Sequence, residues 1–230
     1  MPKMSARQWL LIIGVFLVMI TPPLAWKRYR GSASMIRAVR AGDIARVEKM
    51  LSTRPGLLNA RDDHHRAGAV QWAVVANRPA ILELLIERGA DLDAGDRHGM
   101  TALHSAAIFN RADMVQRLLA RGADPYAMGL GYGAIRLTPL HKAAEAGSLE
   151  AVEALLDDGV NVNVLTEGAN RVSPLHIAAA RGHQGVIRLL ADRGAQMNLR
   201  DVTGATPLRW AMRMEKDDTA ALLRLLGGRE

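Results

Sequence analysis

A four-residue signature that recurs along the chain constrains the fold more than any other feature of the sequence. It reads Thr or Ser, then Pro or Ala, then Leu, then His or Arg, and it starts at positions 101, 138, 173 and 206. A degenerate copy starts at position 68, so that successive starts are 33, 37, 35 and 33 residues apart. A further unit without the signature begins near Ala33. Such a period predicts stacked supersecondary units, because one unit cannot bury its apolar face alone.

Each unit carries the same residue types at the same offsets from its first signature residue, and together they predict a helix pair. The signature Thr or Ser suits a helix N-cap, and Pro is tolerated just inside it. Small residues at +5 and +6 allow a second helix to approach, and Gly or Asn at +9 supplies the turn. Apolar residues at +14 and +17 give the second helix one buried stripe, and Gly at +21 ends it. These signature and closing residues are Thr101, His104, Thr138, Pro139, His141, Ser173, Pro174, His176, Gly89, Gly122, Gly159 and Gly194.

The signature, the paired small residues and the closing Arg-Gly-Ala-Asp of residues 88–91 and 121–124 resemble the ankyrin repeat. The resemblance covers residues 33–226 and implies an all-α ankyrin repeat solenoid of about six repeats, atypical caps included. In that fold each repeat is an antiparallel helix pair with a loop projecting sideways. The resemblance also implies that the signature histidines hydrogen-bond to loop backbone, and that the concave surface binds a protein partner.

Three units depart from the family pattern. The first lacks the signature and carries Arg54-Pro55-Gly56 where its second helix should end, so we interpret it as an N-terminal cap. The second has Gly68-Ala69 in place of Thr-Pro, so its first helix is expected to start less firmly. The last ends near Leu226 without its own Gly-Ala, as expected of a C-terminal cap.

An uncharged segment of eighteen residues, Trp9 to Trp26, precedes the repeats and predicts one transmembrane helix. As a helix it would span about 27 Å, close to the hydrocarbon thickness of a bilayer. A cleaved export signal is the alternative, although Pro23 makes the cleavage site poor. The predicted organisation is a basic tail at 1–8, a transmembrane or signal-anchor segment at 9–26, a basic juxtamembrane linker at 27–33, the repeat domain at 34–226 and a C-terminal tail at 227–230.

The excess of positive charge lies around this apolar segment. The net charge is +7, and residues 1–40 hold seven basic residues and no acidic one, which leaves the repeats electrically balanced. This distribution argues against a nucleic-acid partner and predicts contact with membrane lipid through residues 9–30. The sequence therefore favours a single-pass membrane protein, in the inner membrane if bacterial. The positive-inside rule favours a cytoplasmic repeat domain, and a periplasmic one is the alternative.

Catalysis is not expected of this sequence. The absence of cysteine excludes disulfides, cysteine-ligated zinc and thiol catalysis. His64, His65 and His98 lie in neighbouring loops and leave a histidine-dependent metal hydrolase as a distant alternative, but no carboxylate stands at ligand spacing. We therefore predict a non-catalytic scaffold that recruits or inhibits a protein partner, with no cofactor, no metal and no small-molecule substrate. A soluble periplasmic chaperone or inhibitor, released by signal cleavage, is the nearer alternative.

Two groups of residues are candidates for binding the partner, because the fold does not need them. The first is the loop at residues 125–136, which is longer than the standard period and glycine-rich. It carries Tyr126, Met128, Leu130, Tyr132, Ile135 and Arg136, and such side chains are typical interface anchors. The second is an apolar patch expected on the concave side, formed by Trp72, Val75, Ile108 and Phe109. Two alternatives remain: Tyr126 packs on its own repeat, and the N-terminal cap or linker covers the patch.

Overall fold

The computed structural model describes residues 24–131, 135–167 and 170–230, and these form six consecutive helix pairs. The first helices of the six units are α1 (Leu24–Ala41), α3 (Ala69–Val75), α5 (Ala102–Ile108), α7 (Pro139–Ala146), α9 (Pro174–Arg181) and α11 (Pro207–Arg213). The second helices are α2 (Ile44–Thr53), α4 (Pro79–Glu87), α6 (Ala112–Ala120), α8 (Leu149–Asp157), α10 (Gln184–Asp192) and α12 (Asp217–Leu225). The prediction of about six helical units is confirmed.

The fourth unit shows how the signature produces a helix pair. The Thr138 side chain accepts a hydrogen bond from the backbone N–H of His141, and Pro139 occupies the first turn of α7. Gly147 ends α7 with a φ of 75°, a left-handed conformation that only glycine adopts at little cost. After α8, Gly159 reverses the chain with a φ of 89°. The predicted offsets therefore mark where each helix of the unit begins and ends.

One continuous apolar core runs through the stack. The paired small residues of the first helices, such as Ala106 and Ala107, are fully buried, as are the second-helix leucines such as Leu85 and Leu118. Neighbouring first helices pack more closely than neighbouring second helices do. The stack therefore curves, with the first helices lining its concave side, which we call the inner face.

The second unit and the last unit show how departures from the signature are accommodated. Helix α3 starts at Ala69 without a side-chain cap, and the backbone N–H of Ala69 donates to the carbonyl of Ala60 at 3.0 Å. Proline would lose that bond, which explains why the second unit departs from the signature. At the other end, Gly227 has a φ of 88° and closes α12 as the other +21 glycines close theirs. The last unit thus lacks the Gly-Ala pair, as expected, but keeps a closing glycine.

The last four residues, predicted as a tail, are bonded to the final unit. The backbone N–H of Arg229 donates to the Asn198 side chain at 2.6 Å, and its carbonyl accepts from the Thr206 hydroxyl at 2.7 Å. Residues 227–230 are therefore part of the folded domain.

The predicted transmembrane segment at 9–26 falls almost entirely outside the described residues. Helix α1 begins at Leu24 and includes residues 27–33, which were predicted as a linker. Among the helices that the structure describes, none combines the length and the apolarity needed to cross a bilayer.

Candidate protein-binding surface

The signature histidines hold the units together and are not available for chemistry. In the third unit His104 is fully buried, its Nδ1 accepts from the backbone N–H of Thr101 at 3.1 Å, and its Nε2 contacts the carbonyl of Leu137 at 2.9 Å. His141 and His176 repeat this arrangement with the carbonyls of Val172 and Ala205, at 3.0 and 3.2 Å. Each imidazole therefore links its own helix to the loop of the next unit, as the resemblance implied.

This environment favours the neutral imidazole. Burial lowers the pKa of His104 and of His141 to about 4, although the hydrogen bond to the loop carbonyl opposes the shift. Burial also lowers the pKa of His176. A ring that accepts at Nδ1 and donates at Nε2 is a neutral tautomer, so neither nitrogen is left for proton transfer or metal binding.

The long loop forms a short β-hairpin whose end contacts both neighbouring loops. Strands β1 (Gly129–Leu130) and β2 (Arg136–Leu137) pair antiparallel. The backbone N–H of Leu130 donates to the carbonyl of His98 in the loop before, at 2.7 Å. Arg136 forms a β-bridge with Glu167 in the loop after. The hairpin is therefore positioned by the two neighbouring loops.

The candidate residues of this loop have different environments. Tyr126 and Leu130 are exposed, and the Tyr126 hydroxyl accepts from the backbone N–H of Asn161 at 3.2 Å. Tyr126 thus contacts the following repeat and still presents its ring to solvent. Met128 is half-buried, and its carbonyl accepts from the exposed Arg136 guanidinium at 3.2 Å. Tyr132 lies outside the described residues.

The predicted apolar patch is only partly exposed. Trp72 is half-buried: its indole N–H donates to Asp62 at 2.8 Å, and the Arg40 guanidinium lies 4.6 Å from its ring centroid. The N-terminal unit therefore covers part of this tryptophan, which was the alternative interpretation of the patch. Val75 and Ile108 are also half-buried, whereas Phe109 is exposed. The patch thus offers Phe109 as its main exposed group.

An apolar groove lies on the inner face of the last three units, and it was not predicted from the sequence. We call it the inner groove; its volume is 240 Å³. Its lining residues are Ile135, Leu137, Glu145, Val172, Ile177, Ala180, Arg181, Trp210 and Met214. Of the predicted binding residues that the structure describes, only Ile135 lines it. The available signal was Trp210, which stands at the same +4 offset as Trp72.

Two features fix the walls of the inner groove. The Trp210 indole N–H donates to Asp201 at 2.8 Å, and its ring packs edge-on against His176 with centroids 5.5 Å apart. On the opposite wall, Glu145 accepts from Lys142 at 2.9 Å and from Arg181 at 2.6 Å. Burial alone would raise the pKa of Glu145, but these two bonds outweigh it and lower the pKa. The groove is thus mainly apolar, and Glu145 is held in it by two ion pairs.

The three loop histidines lie near one another, and Arg97 is hydrogen-bonded to each of them. Its backbone N–H donates to the carbonyl of His65 at 2.8 Å, its Nη1 to the carbonyl of His64 at 3.0 Å, and its Nε to the ring of His98 at 3.1 Å. In the part of the chain that the structure describes, no group of three or more His, Cys, Asp or Glu residues is placed to hold a metal ion.

Comparison with known families agrees with this architecture. The family model described as ankyrin repeats (3 copies) matches residues 35–128 and again residues 140–228. The two matches cover well over half of the chain, and the protein therefore belongs to the ankyrin repeat family. No curated protein matches this sequence.

Proposed function

We propose that this protein is a membrane-anchored ankyrin repeat scaffold that binds a protein partner through its inner face and has no catalytic role. Membership of the ankyrin repeat family supports a role in protein–protein interaction. The observation that carries the proposal is the inner groove, an apolar concavity walled by Trp210 and by the Glu145–Arg181 pair. A concave apolar site with a few fixed polar groups is the usual form of a recognition site.

Site-specific photo-crosslinking tests this binding role. A photoreactive residue replaces Met214 in the inner groove, Phe109 in the apolar patch or Tyr126 in the loop, since all three are exposed. Leu225 is the matched control, because it is apolar and 85% exposed but lies on a second helix. We expect a discrete protein adduct from at least one inner-face position and none from Leu225. Equal adducts from all four positions would contradict a defined binding surface.

A second experiment tests the loop separately from the groove. We expect Tyr126→Ala/Tyr132→Ala to lower recovery of the crosslinked partner without loss of fold, because the Tyr126 ring is exposed and lies outside the core. Undiminished recovery would remove the loop from the binding surface.

The anchor is proposed to be the segment at 9–26, with the repeats on the cytoplasmic side. The uncharged length of the segment and the basic residues around it support this arrangement. Alkaline extraction of membranes combined with a topology reporter at Glu230 tests both points. Full-length chain in the soluble fraction would refute the anchor, and a reporter active only outside the cytoplasm would refute the orientation.

The non-catalytic proposal is supported by the signature histidines, whose ring nitrogens are both engaged. Metal analysis of the purified protein should find no stoichiometric zinc. A stoichiometric metal would restore the hydrolase alternative.

A further inference from the structure

The outer end of the first unit carries a groove that none of the other described units covers. This basic end groove has a volume of 490 Å³ and lies between α1, α2 and the short 3₁₀ helix Pro55–Leu57. Its lining residues are Gly31, Ser34, Arg46, Lys49, Met50, Thr53, Arg54 and Leu57. Three of these side chains are basic and none is a carboxylate. A floor of Met50 and Leu57 below basic and hydroxyl groups suits an anion that is attached to an apolar body.

Both arginine side chains of this groove lie against α1. The Arg46 guanidinium donates to the Ser34 hydroxyl at 3.2 Å, which joins α2 to α1. The Arg54 guanidinium lies beside Gly31, where an added Cβ would be 3.6 Å from Nη1. The Thr53 hydroxyl donates to the carbonyl of Lys49 at 2.9 Å, and Thr53 also lines the groove. Both guanidiniums therefore lie beside α1, at Ser34 and at Gly31, which are about one helical turn apart.

The position of Arg46 shows that this surface differs from the rest of the stack. At the same +13 offset the inner units carry Ile81, Met114, Ala151 and Val186, all of which are buried against a neighbouring unit. A terminal unit needs polar residues here only to remain soluble, and residues of either sign would serve that purpose. The lining of the basic end groove instead has a single sign. Charge complementarity therefore indicates an anionic occupant.

The groove also lies close to the segment that we propose as the membrane anchor. Helix α1 begins at Leu24, directly after residues 1–23, and reaches Gly31 about 10 Å further along its axis. That distance is about one Debye length at physiological salt and is comparable to the thickness of a headgroup layer. A lipid phosphate would thus be within reach of Arg46, Lys49 and Arg54.

We propose that the basic end groove binds the phosphate of an anionic phospholipid headgroup and thereby seats the first repeat on the membrane surface. The proposal rests on the membrane anchor of the proposed function. It adds a second, electrostatic contact that fixes how the stack is oriented on the bilayer, with the basic end groove toward the headgroups and the inner groove of the last three units away from them. Because anionic lipid is enriched in the cytoplasmic leaflet, this contact agrees with a cytoplasmic repeat domain.

Energy transfer in lipid nanodiscs tests this contact on the full-length protein. The chain has no cysteine, so Ser52→Cys provides a single labelling site on the exposed side of α2, next to the groove. The acceptor is a headgroup-labelled lipid, in discs of phosphatidylcholine alone or of phosphatidylcholine with phosphatidylglycerol. We expect transfer to rise when phosphatidylglycerol is present. We expect the rise to be lost in Arg46→Gln/Lys49→Gln/Arg54→Gln.

A variant of equal charge provides the control. Arg88→Gln/Arg188→Gln/Arg213→Gln removes three exposed basic residues elsewhere in the stack and should retain the rise. The proposal is overturned if transfer is the same in both kinds of disc, or if the control variant loses the rise equally. If free phosphate were the occupant instead, transfer would not respond to phosphatidylglycerol, and inorganic phosphate would raise the thermal midpoint of the parent protein but not that of Arg46→Gln/Lys49→Gln/Arg54→Gln. That result would also overturn the proposal. Failure of the chain to enter nanodiscs at all would instead refute the anchor.

Discussion

Lowering the pH from 7 to 5 should reduce the free energy of unfolding by about 4 kcal/mol, through two buried histidines. Burial lowers the pKa of His104 and His141 to about 4 in the folded protein, whereas the unfolded chain has the ordinary value of about 6.5. At pH 5 the unfolded state therefore binds nearly one more proton at each site. Linkage converts that difference into about 2 kcal/mol per histidine. The lowered pKa of His176 acts in the same direction.

The sign and the pH window follow from the direction of the shifts. A histidine whose folded pKa is lowered contributes stability that is present above pH 6.5 and is lost as the pH falls toward 4. Asp62, Glu145 and Asp201 also have lowered pKa values, because hydrogen bonds to the carboxylates outweigh burial. Their contribution is present above the unfolded carboxyl pKa of about 4 and is lost only below it. Between pH 7 and pH 5 the change in the free energy of unfolding therefore comes from the histidines.

Urea unfolding of the detergent-purified protein, followed by circular dichroism at pH 7, 6 and 5, measures this loss. The variant His141→Gln should be less stable at pH 7, and its further loss down to pH 5 should be smaller by about 2 kcal/mol. A free energy of unfolding that is unchanged between pH 7 and pH 5 would refute the reasoning. So would a variant with the same pH dependence as the parent protein.

Three further predictions concern stability, and thermal and urea unfolding measure each of them. Gly68→Ser should stabilise the protein by about 0.5–1 kcal/mol, because Gly68 is an extended N-cap and a Cβ there meets nothing within 4 Å; a loss would show that the site is strained. Gly122→Ala should cost about 1 kcal/mol through its φ of 84° alone, and an unchanged midpoint would contradict this. Leu118→Ala should cost about 2–5 kcal/mol because the side chain is fully buried, whereas a cost below about 1 kcal/mol would mean that the core repacks.

The helix starts, turns and helix ends of each unit could be predicted from the sequence, because each is set by short-range backbone chemistry. Asn77 and Asn110 were placed at the inter-helix turn by analogy with glycines, and both have a φ of 54°, the left-handed conformation that asparagine tolerates better than most residues. Glu215 adopts the same φ in the last unit and was not predicted. Its residue type carries no turn signal, so the tertiary arrangement of α11 and α12 imposes the conformation.

The binding surfaces were predicted less well, because they depend on contacts between residues far apart in sequence. The inner groove combines Ile135 of the hairpin with Ile177, Trp210 and Met214 from two later units. No local pattern reports that these side chains leave a concavity. The partial burial of Trp72 also depends on a contact between distant residues, because Arg40 at the end of α1 lies against the tryptophan of the next unit.

The hydrogen bonds of the signature histidines give the stack a direction. Each imidazole donates forward to the carbonyl before the next unit, so a deletion from the C-terminal end would remove both the acceptor of this N–H and the segment that covers it. A deletion from the N-terminal end would instead expose a loop carbonyl that water can bond. The final unit has Arg209 in the histidine position and therefore needs no following loop. A stable shorter version should therefore retain the unit that carries Arg209, because its first helix has no forward histidine bond to lose.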